Sequence, residues 1–244
     1  DAFYKEARQS SVFVFPNEMY GRKGFNFYIE KDEFGGYKFK DRIMYKNKLY
    51  PSLKSYIDPK NIKNSLNNLS QLSCKFREYL EIEIGASEKE RPGNSFCYLE
   101  LVEGSGVILL GLILERLGFE NFTSNDYSIV DVKNDEIRPD YKKKKRFALV
   151  TGKTTNLRNI LRVFNSKSNI DGEYIQMIIA SEMARDGINI KNVVRGYIMS
   201  AGWHESGMHQ ALSRFIRATS HNELKNRHLL EKGRGSGDKY RVNV

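Results

Sequence analysis

The feature that most constrains the fold is a series of short apolar runs, separated by turns and helices, between residues 95 and 217. Four of these runs have the length and composition of strands buried in a parallel sheet: residues 96–101, 147–151, 174–180 and 193–199. Helical patterns lie between them at residues 107–117 and 156–164. Because strands and helices alternate, the sequence predicts an α/β fold in which helices flank a parallel sheet.

Composition divides the chain into three predicted parts. Residues 1–65 form an N-terminal extension or insertion, residues 66–224 form the α/β domain, and residues 225–244 form a basic, partly disordered tail. The extension is expected to begin with a helix over residues 1–10 and an extended segment over residues 11–16. Apolar residues at helical spacing predict one helix over residues 66–84.

Aromatic and basic residues alternate in residues 17–60, as in GGYKFKDRIMYKNKLY. A segment of this kind can stack on the bases of a single nucleic-acid strand and neutralise its phosphates. More often it is a small insertion with a few half-buried aromatic side chains, and the sequence favours this second interpretation.

The net charge of +10, with a pI near 9.4, favours an acidic partner, most simply nucleic acid. The two cysteines, Cys74 and Cys97, have neither metal-ligand spacing nor a disulfide pattern, so we expect reduced core thiols in a cytosolic or nuclear protein. The longest apolar stretch, residues 107–114, is about half of a transmembrane length, and no signal peptide is visible. We therefore predict neither membrane insertion nor secretion. The chain opens on Asp1 within a charged helical pattern, which predicts that it is part of a longer polypeptide.

A predicted amphipathic helix near the end of the α/β part presents Gln210, Arg214 and Arg217 together. These residues lie at i, i+4 and i+7, on a different face from the apolar stripe of the helix. Arginine stays charged and offers a planar fork of donors, so this group suits the oxygens of a polyphosphate. For this spacing alone, a solvated face of an ordinary surface helix is the more common structure.

Three motifs follow one another at close spacing around this helix. They are Ser181 with Gly187-Ile188-Asn189, then Gly-Trp-His at residues 202–204, then QALSRFIRATSH at residues 210–221. In this order they resemble motifs V and VI of superfamily 2 helicases and translocases. The ending Arg-Ala-x-Ser-His is similar to the nucleoside triphosphatases and early transcription factor helicases of large cytoplasmic DNA viruses, and of yeast cytoplasmic linear plasmids. Residues 96–122 and the RFALVTGKTT block resemble the same family, so the likeness covers roughly residues 68–224.

The resemblance implies the second, C-terminal RecA-like domain of such an enzyme, in which a parallel sheet is flanked by helices. It implies that Arg214 and Arg217 are the catalytic arginines that reach the γ-phosphate of ATP, and that Gln210 helps to sense the nucleotide. Gly187 and Asn189 would lie near the ribose and phosphates, although Asn189 stands where many relatives have Asp.

The resemblance also implies a track of residues that contact nucleic-acid phosphates: Ser105, Gly152, Lys153, Thr154 and Ser181. Backbone amides and hydroxyls in a turn at the end of a strand suit such contacts. The alternative roles for these residues are a helix cap or an ordinary strand-to-helix connection, and the latter is about as common.

The TGKTT stretch at residues 151–155 looks like part of a P-loop but lacks its first glycine. A P-loop needs G-x-x-x-x-G-K-[ST], because several amides must surround the phosphates before the lysine. That first position is Phe147 here, inside a predicted strand, and no other segment supplies a Walker A motif or the carboxylates that hold magnesium. We therefore expect half of a bipartite active site, with ATP and Mg²⁺ bound mainly by a first RecA-like domain and with no activity in this chain alone.

The expected function is that of the C-terminal half of a nucleic-acid-dependent ATPase or helicase, which acts in viral-type transcription. The expected partners are DNA and/or RNA, the N-terminal RecA-like domain of the same protein, and RNA polymerase or a transcription factor subunit. The expected location is cytoplasmic, in a virus factory or a virion. Two alternatives stay open: a duplex translocase or remodeller that does not unwind, and a non-enzymatic module that binds nucleic acid or polymerase.

Overall fold

The computed structural model describes residues 2–122, 130–131, 136–137, 143–155, 157–181, 188–200 and 221–226. The N-terminal elements are α1 (Ala2–Val12), α2 (Gly21–Tyr28), β1 (Ile29–Lys31), β2 (Tyr37–Phe39), β3 (Ile43–Tyr45), β4 (Lys48–Tyr50), a 3₁₀ turn (Leu53–Tyr56) and α3 (Ile62–Ser70). The following elements are α4 (Cys74–Ser87), β5 (Asn94–Leu99), α5 (Val107–Arg116), β6 (Glu120–Asn121), β7 (Val130–Asp131), β8 (Glu136–Ile137), β9 (Arg146–Val150), α6 (Leu157–Phe164), a 3₁₀ turn (Lys167–Asn169), β10 (Met177–Ser181) and β11 (Val193–Ile198). Residues 222–226 are helical.

Five strands form a parallel sheet in the order β11-β5-β10-β9-β6. In this sheet Ile178 of β10 lies between Phe96 of β5 and Ala148 of β9. Helices flank the sheet, so the predicted α/β, RecA-like architecture is confirmed. Because all five strands run in the same direction, their carboxyl ends meet at one edge, where open α/β sheets bind ligands.

The side chains of the central strands alternate between two apolar clusters, as the period of a strand requires. Cys97, Met177 and Ile179 face the cluster that contains α5, whereas Phe96 and Ile178 face the cluster that contains α6. Both faces are covered, which explains why these strands read as continuous apolar runs rather than as alternating ones.

The helix predicted over residues 66–84 is two helices, α3 and α4, which are separated at Ser73. The hydroxyl of Ser73 accepts a hydrogen bond from the amide of Phe76 at 2.9 Å and donates one to the carbonyl of Val12 at 2.5 Å. It therefore caps the start of α4 and fastens the end of α1 to it. Cys97 is buried as predicted, but Cys74 is exposed at the start of α4, so the prediction of two core thiols is wrong for Cys74.

The N-terminal aromatic residues are buried more completely than the sequence predicted. Phe13, Phe15, Phe25 and Tyr28 are each at most 2% exposed, and they belong to the same apolar cluster as Leu109 of α5. The rings of Phe15 and Tyr28 are stacked, with centroids 5.4 Å apart. These side chains are core residues and are not free to stack on nucleic-acid bases.

Replacing Gly24 of α2 with alanine is expected to lower the free energy of unfolding by about 1–3 kcal/mol. A Cβ atom at Gly24 would lie 2.2 Å from Cδ2 of Phe15, whose ring is buried and held by Tyr28. Gly85→Ala in α4 is the matched control, because its Cβ would meet nothing within 4 Å. That change is expected to stabilise the helix by up to about 1 kcal/mol. Thermal unfolding of both variants measures the difference, and equal melting temperatures would contradict the close packing of α2 on Phe15.

Among the described helices, none is long and apolar enough to cross a membrane.

Candidate nucleic-acid and nucleotide site

A tight turn, residues 151–155, follows β9 at the carboxyl edge of the sheet, and we name it the Thr-Gly turn. Its own hydroxyls hold its shape: the amide of Thr151 donates to Oγ1 of Thr154 at 2.8 Å, and Oγ1 of Thr154 donates to the carbonyl of Leu149 at 3.2 Å. The amide of Lys153 donates to Oγ1 of Thr151 at 3.2 Å. Gly152 and Lys153 are exposed at the outer surface of this turn. The turn is thus ordered before any ligand binds and presents a backbone and an ammonium group outward.

Ser181 is the last residue of β10 and lies beside the Thr-Gly turn. Its neighbour Ala180 pairs with Val150, so Ser181 is level with the first residue of the turn, one strand spacing of about 4.8 Å away. Ser181 is 1% exposed, and within the described residues its hydroxyl has no hydrogen-bond partner. A buried hydroxyl without a partner is costly, so a ligand oxygen at this edge would complete it.

Ser105 lies after β5 and is engaged with the N-terminal part of the chain. Ser105 is 3% exposed, and its hydroxyl lies 2.9 Å from the carbonyl oxygen of Gln9 and 3.2 Å from that of Phe13. Ser105 therefore caps the end of α1, which is the alternative role that the sequence left open. A phosphate would reach this hydroxyl only if α1 moved away.

The described contact of Asn189 places it away from the carboxyl edge of the sheet. Its carbonyl accepts a hydrogen bond at 2.8 Å from Asn165, which directly follows α6 and so lies near the opposite, amino edge. The other predicted nucleotide-binding residues, Gly187, Gln210, Arg214 and Arg217, fall outside the described residues.

Residues 221–224, at and after the end of the QALSRFIRATSH stretch, lie beside the start of β11. The Nε2 atom of His221 is 2.8 Å from the carbonyl oxygen of Val193, and Asn192 donates a hydrogen bond to Glu223 at 3.1 Å. Leu224 is buried beside them. The imidazole of His221 is thus held by the backbone of β11, and this contact fixes where the stretch at residues 210–221 ends.

The carboxyl ends of β5 and β11 are joined by contacts that the sequence did not indicate. The amide of Glu100 donates to the hydroxyl of Ser200 at 2.7 Å, and Arg8 of α1 binds both carboxylate oxygens of Glu100 at 2.8–2.9 Å. Lys75 of α4 donates to the carbonyl of Met199 at 2.8 Å. Arg8 and Glu100 are 92 residues apart, so no local pattern could have revealed their pairing.

The basic run at residues 142–146 leads into the amino end of β9, on the far side of the sheet from the Thr-Gly turn. Lys143 pairs with Glu173 at 2.7 Å, Lys144 with Glu120 at 3.2 Å, and Lys145 with Glu88. Burial opposes ionisation of Glu120, but Lys144 and Arg146 hold its pKa below the ordinary value. The positive charge of these three lysines is therefore largely matched by carboxylates.

In the part of the chain that the structure describes, no group of three or more His, Cys, Asp or Glu side chains is placed to hold a metal ion. The Thr-Gly turn and Ser181 together can offer hydrogen bonds and one positive charge to a phosphate, and these groups suffice to bind it.

Comparison with known proteins gives a consistent set of relatives, although no protein-family model matches the sequence. Over 233 residues the chain is 29% identical to "Putative helicase 087L" of Invertebrate iridescent virus 3, and this alignment covers 93% of the chain and 20% of that protein. It is 34% identical over 160 residues to "Putative helicase 009L" of Frog virus 3, covering 66% of the chain and 15% of the relative. It is 29% identical over 126 residues to "Termination factor NPH-I homolog" of African swine fever virus, covering 51% and 17%.

The resemblance to helicases of large cytoplasmic DNA viruses and of yeast linear plasmids is therefore confirmed. The chain spans a fifth or less of the length of the three relatives described above.

Proposed function

We propose that this chain supplies the second, C-terminal RecA-like half of a nucleic-acid-dependent ATPase of superfamily 2, including motifs V and VI. One observation carries the proposal: the buried hydroxyl of Ser181, which has no partner among the described residues, lies beside the preformed Thr-Gly turn, at the ligand-binding edge of a RecA-like sheet. The chain that presents this edge is homologous to helicases.

In this proposal the carboxyl edge follows a nucleic-acid backbone. The amide of Gly152, the Lys153 ammonium group and the hydroxyl of Ser181 contact phosphate oxygens. The amide of Lys153 and the hydroxyl of Thr154 already donate within the turn, so they hold its shape and would reach a phosphate only if those bonds were released. Such contacts fix position and carry no sequence information, as a motor that moves along a strand requires. Ser105 joins the track only in a state in which its bonds to Gln9 and Phe13 are released.

The nucleotide would be held between this domain and an N-terminal RecA-like domain of the same protein. Arg214 and Arg217 stabilise charge on the transferred γ-phosphoryl group, Gln210 senses the nucleotide, and Gly187 and Asn189 lie near the ribose and phosphates. Carboxylates of the N-terminal RecA-like domain would hold Mg²⁺, which would neutralise phosphate charge there.

Coupling between the two sites follows from charge. Arginines bind a γ-phosphate more strongly than the nucleoside diphosphate left by hydrolysis, so hydrolysis loosens the closure of the two domains. His221 and Asn192 fasten the end of the motif VI segment to β11, a neighbour of β5 within the sheet. Closure of the two domains around the arginines is thereby coupled to the sheet, and so to Ser181 at its carboxyl edge.

A role in viral transcription, in the cytoplasm and alongside RNA polymerase or a transcription factor subunit, is the proposed biological setting. It is supported by the relative named as a termination factor homologue. A duplex translocase that does not unwind uses the same residues and is distinguished by strand-displacement and triplex-displacement assays run side by side.

The test is ATP hydrolysis by this chain, alone and mixed with the N-terminal RecA-like domain, with and without nucleic acid. We expect no turnover from the chain alone, because the amides of a P-loop and the magnesium carboxylates are missing from its sequence. On mixing, we expect turnover that nucleic acid stimulates.

Two results would contradict the proposal in different ways. Turnover by the chain alone would mean that the Thr-Gly turn binds nucleotide after all. A mixture that binds nucleic acid but hydrolyses no ATP would instead favour the non-enzymatic binding module.

A further inference from the structure

The β3–β4 hairpin presents an exposed apolar pair on the face that points away from the protein. Met44 and Leu49 are directly paired across the two strands and are 65% and 64% exposed. The opposite face of the hairpin contacts the protein through aromatic rings: Tyr50 and the 43% exposed Tyr45 each contact the ring of Phe27, with centroids 5.3 Å and 5.6 Å apart. The hairpin is thus held rigidly from behind while its apolar pair stays in solvent.

Basic residues lie on both sides of this apolar pair along the hairpin. Residues 37–63 contain seven lysines and one arginine against two aspartates, a net charge of +6 out of +10 for the chain. Arg42 precedes Met44 on the same face of the hairpin and Lys46 lies in the turn, whereas Lys48 pairs with Tyr45 at the turn end of the opposite face; all three are exposed. The ammonium groups of Lys46 and Lys48 lie 5.5 and 5.4 Å from the ring centroids of Tyr45 and Tyr50.

Among the described residues, the basic side chains of this hairpin differ from those that precede β9, because they form no ion pairs with carboxylates. Lys143, Lys144 and Lys145 each pair with a glutamate, whereas no carboxylate within the described residues pairs with Arg42, Lys46 or Lys48. Positive side chains without carboxylate partners, next to exposed apolar side chains, favour a ligand that carries both negative charge and planar rings. A single nucleic-acid strand has this chemistry, because its phosphates and its unstacked bases alternate along one backbone.

We propose that the β3–β4 hairpin is a second binding surface for single-stranded nucleic acid, separate from the carboxyl edge of the sheet. Bases pack on Met44 and Leu49, and Arg42 neutralises a phosphate on that face. Lys46 and Lys48 bind phosphates where the nucleic-acid strand passes around the turn of the hairpin. This surface goes beyond the proposed ATPase half, because it needs neither nucleotide nor an N-terminal domain.

The test measures binding of a labelled single strand of about 20 nucleotides to this chain by fluorescence anisotropy, at several salt concentrations and without ATP. The Lys46→Gln, Lys48→Gln double variant is expected to bind on the order of 10- to 30-fold more weakly near 0.1 M salt. The slope of log affinity against log salt should fall by about 1.4, because each lost phosphate contact on a single strand is worth about 0.7. The Met44→Ser, Leu49→Ser double variant is expected to weaken binding without changing the slope.

Two matched controls distinguish an effect of this surface from the effect of losing net charge or an exposed aromatic side chain anywhere on the protein. Lys60→Gln with Lys63→Gln removes the same charge from exposed residues outside the hairpin and should change binding little. Phe34→Ala removes a 97% exposed aromatic side chain from the β1–β2 hairpin, beside the acidic Asp32 and Glu33, and should have no effect. Equal loss in the two lysine pairs would overturn the inference, as would a duplex that competes as well as the single strand.

Lys153→Gln in the Thr-Gly turn distinguishes this inference from the proposed function. Weaker binding in Lys153→Gln with unchanged binding in the hairpin variants would refute the hairpin surface and leave the carboxyl edge in place. The reverse pattern would support the hairpin surface and count against the carboxyl edge.

Discussion

Replacing Arg217 with alanine in the full-length protein is expected to lower the rate of ATP hydrolysis by about 10³- to 10⁵-fold while leaving the fold intact. An arginine that reaches across a domain interface stabilises charge on the transferred phosphoryl group, and no other side-chain type offers the same permanently charged fork. Steady-state hydrolysis with saturating nucleic acid measures the effect. Arg217 lies outside the described residues, so its position rests on the motif and on the anchor that His221 provides to β11.

Arg158→Ala is the matched control for this experiment. Arg158 is an exposed arginine on α6, so the variant loses the same side chain from a surface that the proposal does not use. It should retain near wild-type turnover, and circular dichroism should show the native fold for both variants. If Arg217→Ala also hydrolysed ATP at the wild-type rate, the assignment of motif VI would be refuted.

The sheet was predictable from sequence because its strands are buried on both faces and therefore appear as apolar runs. The carboxyl-edge positions of Ser181 and of the Thr-Gly turn follow from that order, since each comes directly after a strand. The observed strand bounds differ from the predicted ones where a side chain, rather than a neighbouring strand, accepts the backbone hydrogen bonds. The side chain of Asn169 accepts from the amides of Tyr174 and Ile175 at 2.9 and 3.0 Å, so β10 begins at Met177 and not at residue 174.

Other features depend on contacts between distant segments and leave no local pattern. The break between α3 and α4 depends on the hydroxyl of Ser73, which is shared between Phe76 and Val12. The burial of Ser105 depends on α1 lying over the loop after β5, 92 residues or more away in sequence. The alternation of aromatic and basic residues did not reveal which rings are core and which are exposed, because that depends on how α2 packs.

A buried ion pair joins α4 to β11 at the amino edge of the sheet. Glu83 of α4 is fully buried, and its carboxylate lies 2.8 Å from Nε and 3.1 Å from Nη2 of Arg195 on β11. Gln176 and Tyr197 donate further hydrogen bonds to the same carboxylate at 2.7 and 2.8 Å. Burial and the charge of Glu83 raise the pKa of Tyr197, so its hydroxyl remains a donor. Arg195 also donates to the carbonyls of Pro92 and Gly93, at 2.7 and 3.0 Å.

Arg195→Ala is expected to lower the free energy of unfolding by about 3–5 kcal/mol, because it leaves the Glu83 carboxylate buried without a counter-charge. For a chain of this size that corresponds to a fall in melting temperature on the order of 10 °C. Arg77→Ala is the matched control, since Arg77 pairs with Glu81 at 3.0 Å on the exposed surface of α4. An exposed pair of this kind contributes at most about 1 kcal/mol.

Adding Glu83→Gln to Arg195→Ala separates the buried charge from lost packing. Gln176 and Tyr197 donate to different oxygens of Glu83, and the amide keeps only one of these acceptors. Its oxygen can still accept from Gln176 while its NH2 group donates to the hydroxyl of Tyr197, so removal of the buried charge should make the double variant melt above Arg195→Ala alone. No recovery would mean that the loss comes from the hydrogen bonds of Arg195 to Pro92 and Gly93. If Arg195→Ala and Arg77→Ala were equally mild, the ion pair would not hold α4 against β11. That edge would then have to be held by apolar contacts such as Tyr79 against Tyr197, whose ring centroids are 4.8 Å apart.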